Sequence, residues 1–184
     1  MEALQRIQVL VTRKQKGGSL SQFNKLSVSL QNQMTDKRSA IIRETSITIQ
    51  VLAQSMGTQF EILVVKLLSQ NSLLKIIQSA NKVIAERAHQ SIVAAILCSR
   101  TTKLIPKVFD EAKNKSPQVR SKVASYFLLM LLYCEPLQLK QNMDTVEEFL
   151  QKYLQDAKPE VRQISRLCFL LYKQLVLPSR SSKL

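Results

Sequence analysis

Tryptophan is absent, and the 184-residue chain holds only three glycines, five prolines, three cysteines and one histidine. So few glycines and prolines cannot supply the turns of a strand-rich sandwich or barrel, and an all-helical fold is expected. Acidic side chains are short too: 13 Asp+Glu stand against 27 Lys+Arg, a net charge of +14 at pH 7, which suits acidic partners. Long apolar runs are missing. The most apolar stretch, Ile62 to Ile77, is interrupted by Lys66, Ser69, Gln70, Asn71, Ser72 and Lys75, so no bilayer crossing is expected. The opening Met1-Glu2-Ala3-Leu4-Gln5-Arg6 lacks the apolar core of a secretory signal, and although a basic amphipathic N-terminal helix is also what a transit peptide shows, Glu2 favours a structural helix. Cys98, Cys134 and Cys168 form no CxxC pair or Cys/His cluster, and each sits late in an apolar helical run, as buried free thiols in a reducing compartment do.

The same scarcities weigh against catalysis. His89 stands alone, no glycine-rich phosphate loop exists, and the Glu147-Glu148 pair is expected in the first turn of a helix, where it complements the dipole. No catalytic set, metal site or cofactor is expected.

What is present is helical periodicity over a composition that is 45% apolar, enough to build a core. Apolar residues recur at Ile42, Thr45, Ile49, Leu52, Ala53 and Met56, and at Val161, Ile164, Leu167, Cys168, Leu171 and Leu175. Ser19-x-x-Gln22, Thr58-x-x-Glu61 and Thr145-x-x-Glu148 read as capping boxes, and Ser116-Pro117 as a further start with an N-cap hydroxyl and proline at the first helical position. Gly17-Gly18 and Gly57 read as stops. The pattern predicts helices near residues 2–14, 19–34, 39–56, 58–79, 83–99, 102–114, 117–134, 144–155 and 159–177.

Four segments are alike: Asp36-Lys37-Arg38-Ser39-Ala40-Ile41-Ile42-Arg43, Asn81-Lys82-Val83-Ile84-Ala85-Glu86-Arg87, Asn114-Lys115-Ser116-Pro117-Gln118-Val119-Arg120 and Asp156-Ala157-Lys158-Pro159-Glu160-Val161-Arg162. Their arginines are separated by 44, 33 and 42 residues, close to the ~40–47-residue period of HEAT repeats. In such repeats two antiparallel helices bury their apolar faces by stacking on neighbouring pairs. The expected fold class is therefore all-α, a short α-solenoid of about four to five HEAT-like helical hairpins. Each similar segment would be the turn inside one hairpin. Lys37 with Arg38, Lys82, Lys115 and Lys158 would then form a row of cations spaced by about one helix diameter, ~10 Å, suited to a flat acidic partner. Arg43, Arg120 and Arg162 are expected to form ladders with an acidic or carbonyl group of a neighbouring repeat.

The segment Asp36 to Glu44, followed by Thr45-Ser46-Ile47-Thr48-Ile49, resembles the second repeat of the TOG-type domains of the CLASP (cytoplasmic linker-associated protein) family. Glu2-Ala3-Leu4-Gln5-Arg6-Ile7 resembles the second helix of that family's first repeat, and Met56-Gly57-Thr58-Gln59-Phe60 the link into the third. Lys103-Leu104-Ile105-Pro106 and Asn114 to Arg120 resemble the fourth repeat, and Asp156 to Arg162 the fifth. The family reads tubulin with the turns inside its repeats, so the resemblance implies that Lys37, Arg38, Lys82, Lys115 and Lys158 face tubulin or microtubules. Beside that family the chain reads as a truncated copy, a fragment or one half of a larger array. Such domains have six repeats and a tryptophan on the first contacting turn, whereas this chain has no tryptophan, opens inside the first repeat, and has at most the tail after Leu177 in place of the sixth.

The expected organisation is a TOG-like domain over residues 1–177 and a polar basic tail over 178–184, monomeric or part of a larger array. Its expected place is the cytoplasm and cytoskeleton. The alternative is the peroxisome, if Ser182-Lys183-Leu184 is an accessible C-terminus. Two other binding roles remain open: a generic HEAT-repeat adaptor for another protein, and, less favoured, a basic nucleic-acid-binding solenoid. Tyr126, Phe127, Phe149 and Tyr153 fall on apolar helix faces, which leaves no basic-aromatic platform for stacking bases.

Overall fold

The computed structural model describes residues 2–12, 20–68 and 73–180, and no strand occurs among them. The chain divides into two compact units, Met1–Thr101 and Thr102–Leu184. No helix among the described residues is long and apolar enough to cross a membrane.

The first unit holds α1 (Glu2–Thr12), α2 (Leu20–Met34), α3 (Ser39–Met56), α4 (Glu61–Leu67), α5 (Leu73–Ile76) and α6 (Lys82–Ser99). Helices α1, α3 and α6 pack side by side as one layer, and α2 packs on α4 in a second layer that covers the first. Ile42, Ile49, Leu52 and Ala53 of α3 close against the neighbouring layer and, with Leu30, Met34, Phe60 and Leu63, form a core without solvent access. Each large side chain so buried contributes about 1.5–3 kcal/mol. Small hydroxyl residues line the seams between the layered helices. Ser46 Oγ and Ser91 Oγ lie 2.8 Å apart between α3 and α6, and both donate to the Arg87 carbonyl, at 2.9 and 3.0 Å. Gln8 of α1 donates to Thr48 Oγ1 and Glu44 Oε1 of α3. Short side chains let the helices approach, and their own carbonyls satisfy the hydroxyls, as Thr45 and Thr48 show with Ile41 and Glu44.

The second unit repeats this plan with α7 (Ile105–Asp110), α8 (Pro117–Tyr133), α9 (Pro136–Leu139), α10 (Met143–Tyr153) and α11 (Pro159–Arg180). Helices α8 and α11 form one layer, α7 and α10 the other, with α7 also against α8 and α10 against α11. An aromatic column fills the space between. Phe127 of α8 stacks on Phe149 of α10 at 3.9 Å between centroids and 3° between planes, with Phe109 edge-on to Phe127 and Tyr153 tilted on Phe149. The Tyr153 hydroxyl donates to the Ala112 carbonyl, and burial pushes its pKa up. Tyr126, Phe127, Phe149 and Tyr153 are all core residues, as their helical spacing indicates.

Several boundaries differ from the periodicity. The helix expected over 58–79 is not continuous: a 3-10 turn spans Gly57–Phe60, α4 ends at Leu67 just before the polar run Ser69-Gln70-Asn71-Ser72, and α5 is a single turn. Thr58 lies inside that 3-10 turn and caps nothing, because the α-helix starts at Glu61 without a side-chain cap. Thr145 likewise stands within α10, which begins at Met143, so Glu147 and Glu148 fall past the first turn. Glu147 instead accepts a hydrogen bond from the Tyr172 hydroxyl. Gly57 does stop α3, at φ +55°, with its N–H on the Ala53 carbonyl. Helix α11 passes the expected end at residue 177 and reaches Arg180. Ser19, Gly17-Gly18 and the Ser182-Lys183-Leu184 terminus lie outside the described residues.

Cys134 and Cys168 are buried free thiols, and desolvation raises their pKa values to about 11 and about 12. Cys98 is half-buried and its thiol is raised too, so none is a ready nucleophile. No group of three or more metal-ligating residues occurs among the described residues, and the half-buried His89 is engaged by neighbours.

Candidate functional site: the turns before the long helices

Four helices, α3, α6, α8 and α11, are entered through turns built the same way. In each, a side-chain oxygen accepts the backbone N–H two residues on: Asp36 Oδ1 from Arg38 (2.8 Å), Ser79 Oγ from Asn81 (3.2 Å), Asn114 Oδ1 from Ser116 (3.0 Å) and Asp156 Oδ1 from Lys158 (2.8 Å). The residues donating these N–H groups are the helix caps, since the carbonyls of Arg38, Asn81, Ser116 and Lys158 accept from the N–H groups of Ile42, Ala85, Arg120 and Arg162. These bonds set the true register of the repeat.

That register corrects the alignment read from residue similarity. Ser79, not Asn81, is the counterpart of Asp36, Asn114 and Asp156, while Asn81 is the cap and its Oδ1 accepts from the N–H groups of Val83 and Ile84. The cations therefore occupy different places. Lys37 and Lys115 sit in the middle of their turns, Arg38 and Lys158 at the caps, and Lys82 at the first helical position. Lys37, Arg38, Lys82 and Lys115 are exposed. Arg38 is nevertheless held locally: its guanidinium reaches both carboxylate oxygens of Asp36 at 3.1 Å and holds that carboxyl below its usual range. Lys158 is half-buried, with Nζ 2.6 Å from Glu160 Oε2. Lys37, Lys82 and Lys115 are thus the turn cations most open to a partner. Beside Lys82, residues Val83, Glu86, Arg87 and Gln90 line an open hollow of about 400 Å³, and Val83 is 62% exposed. Neither Val83 nor the Asn81 cap was singled out from sequence. An asparagine directly ahead of an apolar-periodic run was the available signal for the cap.

The arginines follow the same register. Arg120 and Arg162 stand at equivalent positions and use their Nη1 groups alike, Arg120 on the carbonyls of Asn114 (3.1 Å) and Lys115 (2.9 Å), Arg162 on those of Asp156 (2.7 Å) and Ala157 (2.9 Å). Arg120 also reaches the following turn through a two-pronged pair with Asp156. The turns bearing Lys115 and Lys158 are thereby locked to each other. Arg43 is not part of any such ladder. It stands one residue beyond the equivalent position, which belongs to Ile42, and it is exposed on α3. In the first unit the equivalent residues are Ile42 and Ala85, which have no guanidinium to brace the turns.

Comparison with known proteins places this geometry in a family. The chain superposes on a chain solved in a study of microtubule plus-end tracking by XMAP215, CLIP-170 and EB1, with a TM-score of 0.71, 21% identity and coverage of 96% of this chain and 75% of that one. It also superposes on a chain from a study of tubulin recruitment and assembly by microtubule polymerases with TOG domain arrays, with a TM-score of 0.68, 22% identity and coverage of 100% and 39%. These likenesses establish the fold as that of TOG-type HEAT-repeat solenoids. Among curated relatives, an uncharacterised protein of Dictyostelium discoideum is 28% identical over 165 residues, 87% of this chain and 19% of its own. CLIP-associated protein of Arabidopsis thaliana is 24% identical over 157 residues, 84% of this chain and 11% of its own, and CLIP-associating protein 1-B of Xenopus laevis is 24% identical over 134 residues, 73% and 9%. The chain thus spans less than a fifth of the length of these relatives. The family model described as CLASP N terminal matches residues 14–184, nearly the whole sequence, and the chain belongs to that family.

Proposed function

We propose that this chain is a tubulin- or microtubule-binding module that works through the basic turns ahead of its long helices, with a role in microtubule organisation or dynamics. The observation that carries this reading is the common build of the four turns: one side-chain-to-backbone bond fixes each loop, and exposed cations at Lys37, Lys82 and Lys115 stand on or directly after three of them. Fixed loops lose little conformational freedom on docking, so their charges are pre-organised for a partner. The solved relatives support tubulin as that partner, since one of them comes from work on tubulin recruitment by TOG domain arrays. Arg38 and Lys158 contribute with their local partners, Asp36 and Glu160, in place. Such a module binds and does not catalyse, and its expected place is the cytoskeleton.

Microtubule co-sedimentation tests the reading. Pelleting is expected to weaken as salt rises, because exposed charge pairs are screened over ~8–10 Å at physiological ionic strength. Lys37→Glu with Lys115→Glu is expected to abolish it while circular dichroism stays helical. Unchanged pelleting by that double variant would sink the proposal, and equal or tighter binding to duplex DNA in the same salt would assign the turns to nucleic acid instead.

A further inference from the structure

We propose that Ser116 is a phosphorylation site for a proline-directed protein kinase, and that its phosphate switches off the partner binding assigned above to the Lys115 turn. The site itself stands on sequence and geometry, whereas the switch rests on the tubulin reading.

Of the five prolines only Pro117 follows a hydroxyl residue, so the chain contains a single Ser/Thr-Pro dipeptide. It falls on a proposed binding turn. Kinase clefts take their substrate with an extended backbone, and Asn114 (φ −64°, ψ 138°) and Ser116 itself (φ −73°, ψ 119°) are extended, with a bend at Lys115 between them and α8 beginning at Pro117. Lys115, Pro117 and Gln118 are exposed around a half-buried Ser116. The hydroxyl is also dispensable to the fold. Ser116 occupies the cap of α8 yet makes no side-chain capping bond, and its Oγ donates to the exposed Gln118 side chain at 3.0 Å. The turn is held by Asn114 Oδ1 and by Arg120, neither of which involves Oγ.

The reaction transfers the γ-phosphoryl group of ATP. The Oγ–P bond forms as the bond to the bridging oxygen breaks, ADP leaves, and the hydroxyl proton passes to the kinase base or solvent. The product sits well in the folded state, because a phosphate at the start of a 17-residue helix meets the free N–H groups and positive end of its dipole. Its charge of about −1.5 to −2 at pH 7 opposes the exposed Lys113 and Lys115 on either side of Asn114. The turn keeps its shape and loses its positive sign, which an acidic partner reads as repulsion.

The test treats the full chain with a purified cyclin-dependent kinase and Mg-ATP. Tandem mass spectrometry is expected to place one phosphate on Ser116, absent from both Ser116→Ala and Pro117→Ala, with unchanged helical circular dichroism. The phosphorylated chain is then expected to show at least tenfold weaker microtubule co-sedimentation. If only the heat-unfolded chain is labelled, the fold shields the dipeptide and the site is refuted. Full labelling with unchanged pelleting overturns the switch. A chain that fails to pellet even before treatment refutes the tubulin reading and the switch with it, while the labelling result still decides the site.

Discussion

Arg120 and Asp156 form a two-pronged ion pair across consecutive repeats, with Nε 2.6 Å from Oδ2 and Nη2 3.1 Å from Oδ1. Both side chains are largely buried, at 15% and 7% exposure, and both hold backbone as well: Asp156 accepts the Lys158 N–H, and Arg120 donates to the carbonyls of Asn114 and Lys115. Removing one partner strands a buried charge and frees two turns. Asp156→Ala is therefore expected to lower stability by about 3 kcal/mol, measured by urea denaturation, with Asp156→Asn milder because its amide oxygen can still accept from Lys158. If Asp156→Ala changed the midpoint no more than a surface substitution does, the pair would not brace the repeats.

The same pair makes stability depend on acid. The hydrogen bonds from Arg120, reinforced by the Lys158 N–H against an opposing cost of burial, hold the Asp156 carboxyl below its ordinary 3.8. A depressed folded-state value means the stabilisation is fully present above about pH 4 and is lost as pH falls through the folded value. Wild type is thus expected to lose stability faster than Asp156→Asn from about pH 4 downward. Parallel curves for the two proteins in urea melts at stepped pH would contradict this.

Ser46 and Ser91 offer a test in the first unit. Their hydroxyls lie 2.8 Å apart in a fully buried seam, and each also reaches the Arg87 carbonyl. Either serine alone can still satisfy that carbonyl, so Ser46→Ala and Ser91→Ala are expected to cost about 1 kcal/mol each, and the double variant less than their sum. Strict additivity in the double-mutant cycle would show that the two hydroxyls do not share a network.

Arg120 and Ile42 show what the sequence could and could not tell about these features. Pro-x-Val-Arg places Arg120 and Arg162 at one helical position, legible because proline marks the first helical residue, yet only Arg120 forms the expected ladder, through Asp156 of the next turn, whereas Arg162 braces the carbonyls of its own turn. In the first unit no proline marks the start. Asn81-Lys82 resembles Asp36-Lys37 in residue type, but Asp, Asn and Ser can each supply the turn acceptor and Asn can also cap. The similarity thus shifted the second turn and promoted Arg43 to a place that Ile42 holds. Helical class and the late repeats followed from periodicity, whereas the end of α4 at Leu67 was signalled by the polar run Ser69-Gln70-Asn71-Ser72 that interrupts the apolar spacing. Which lysines stay open was hidden, because the Lys158–Glu160 pair depends on rotamers and not on spacing.

The open and the engaged cations separate in a binding experiment. Single charge reversals at Lys37, Lys82 and Lys115 are each expected to weaken microtubule pelleting severalfold, since each removes an exposed attraction and adds a repulsion. Lys158→Glu faces Glu160 and is expected to weaken it less by direct contact, with Glu160→Gln restoring part of the loss. Arg43→Glu, exposed on α3 but outside the turn, is expected to change little beyond the general electrostatic effect. A larger loss from Arg43→Glu than from Lys37→Glu would move the interface off the turns and onto the helix face.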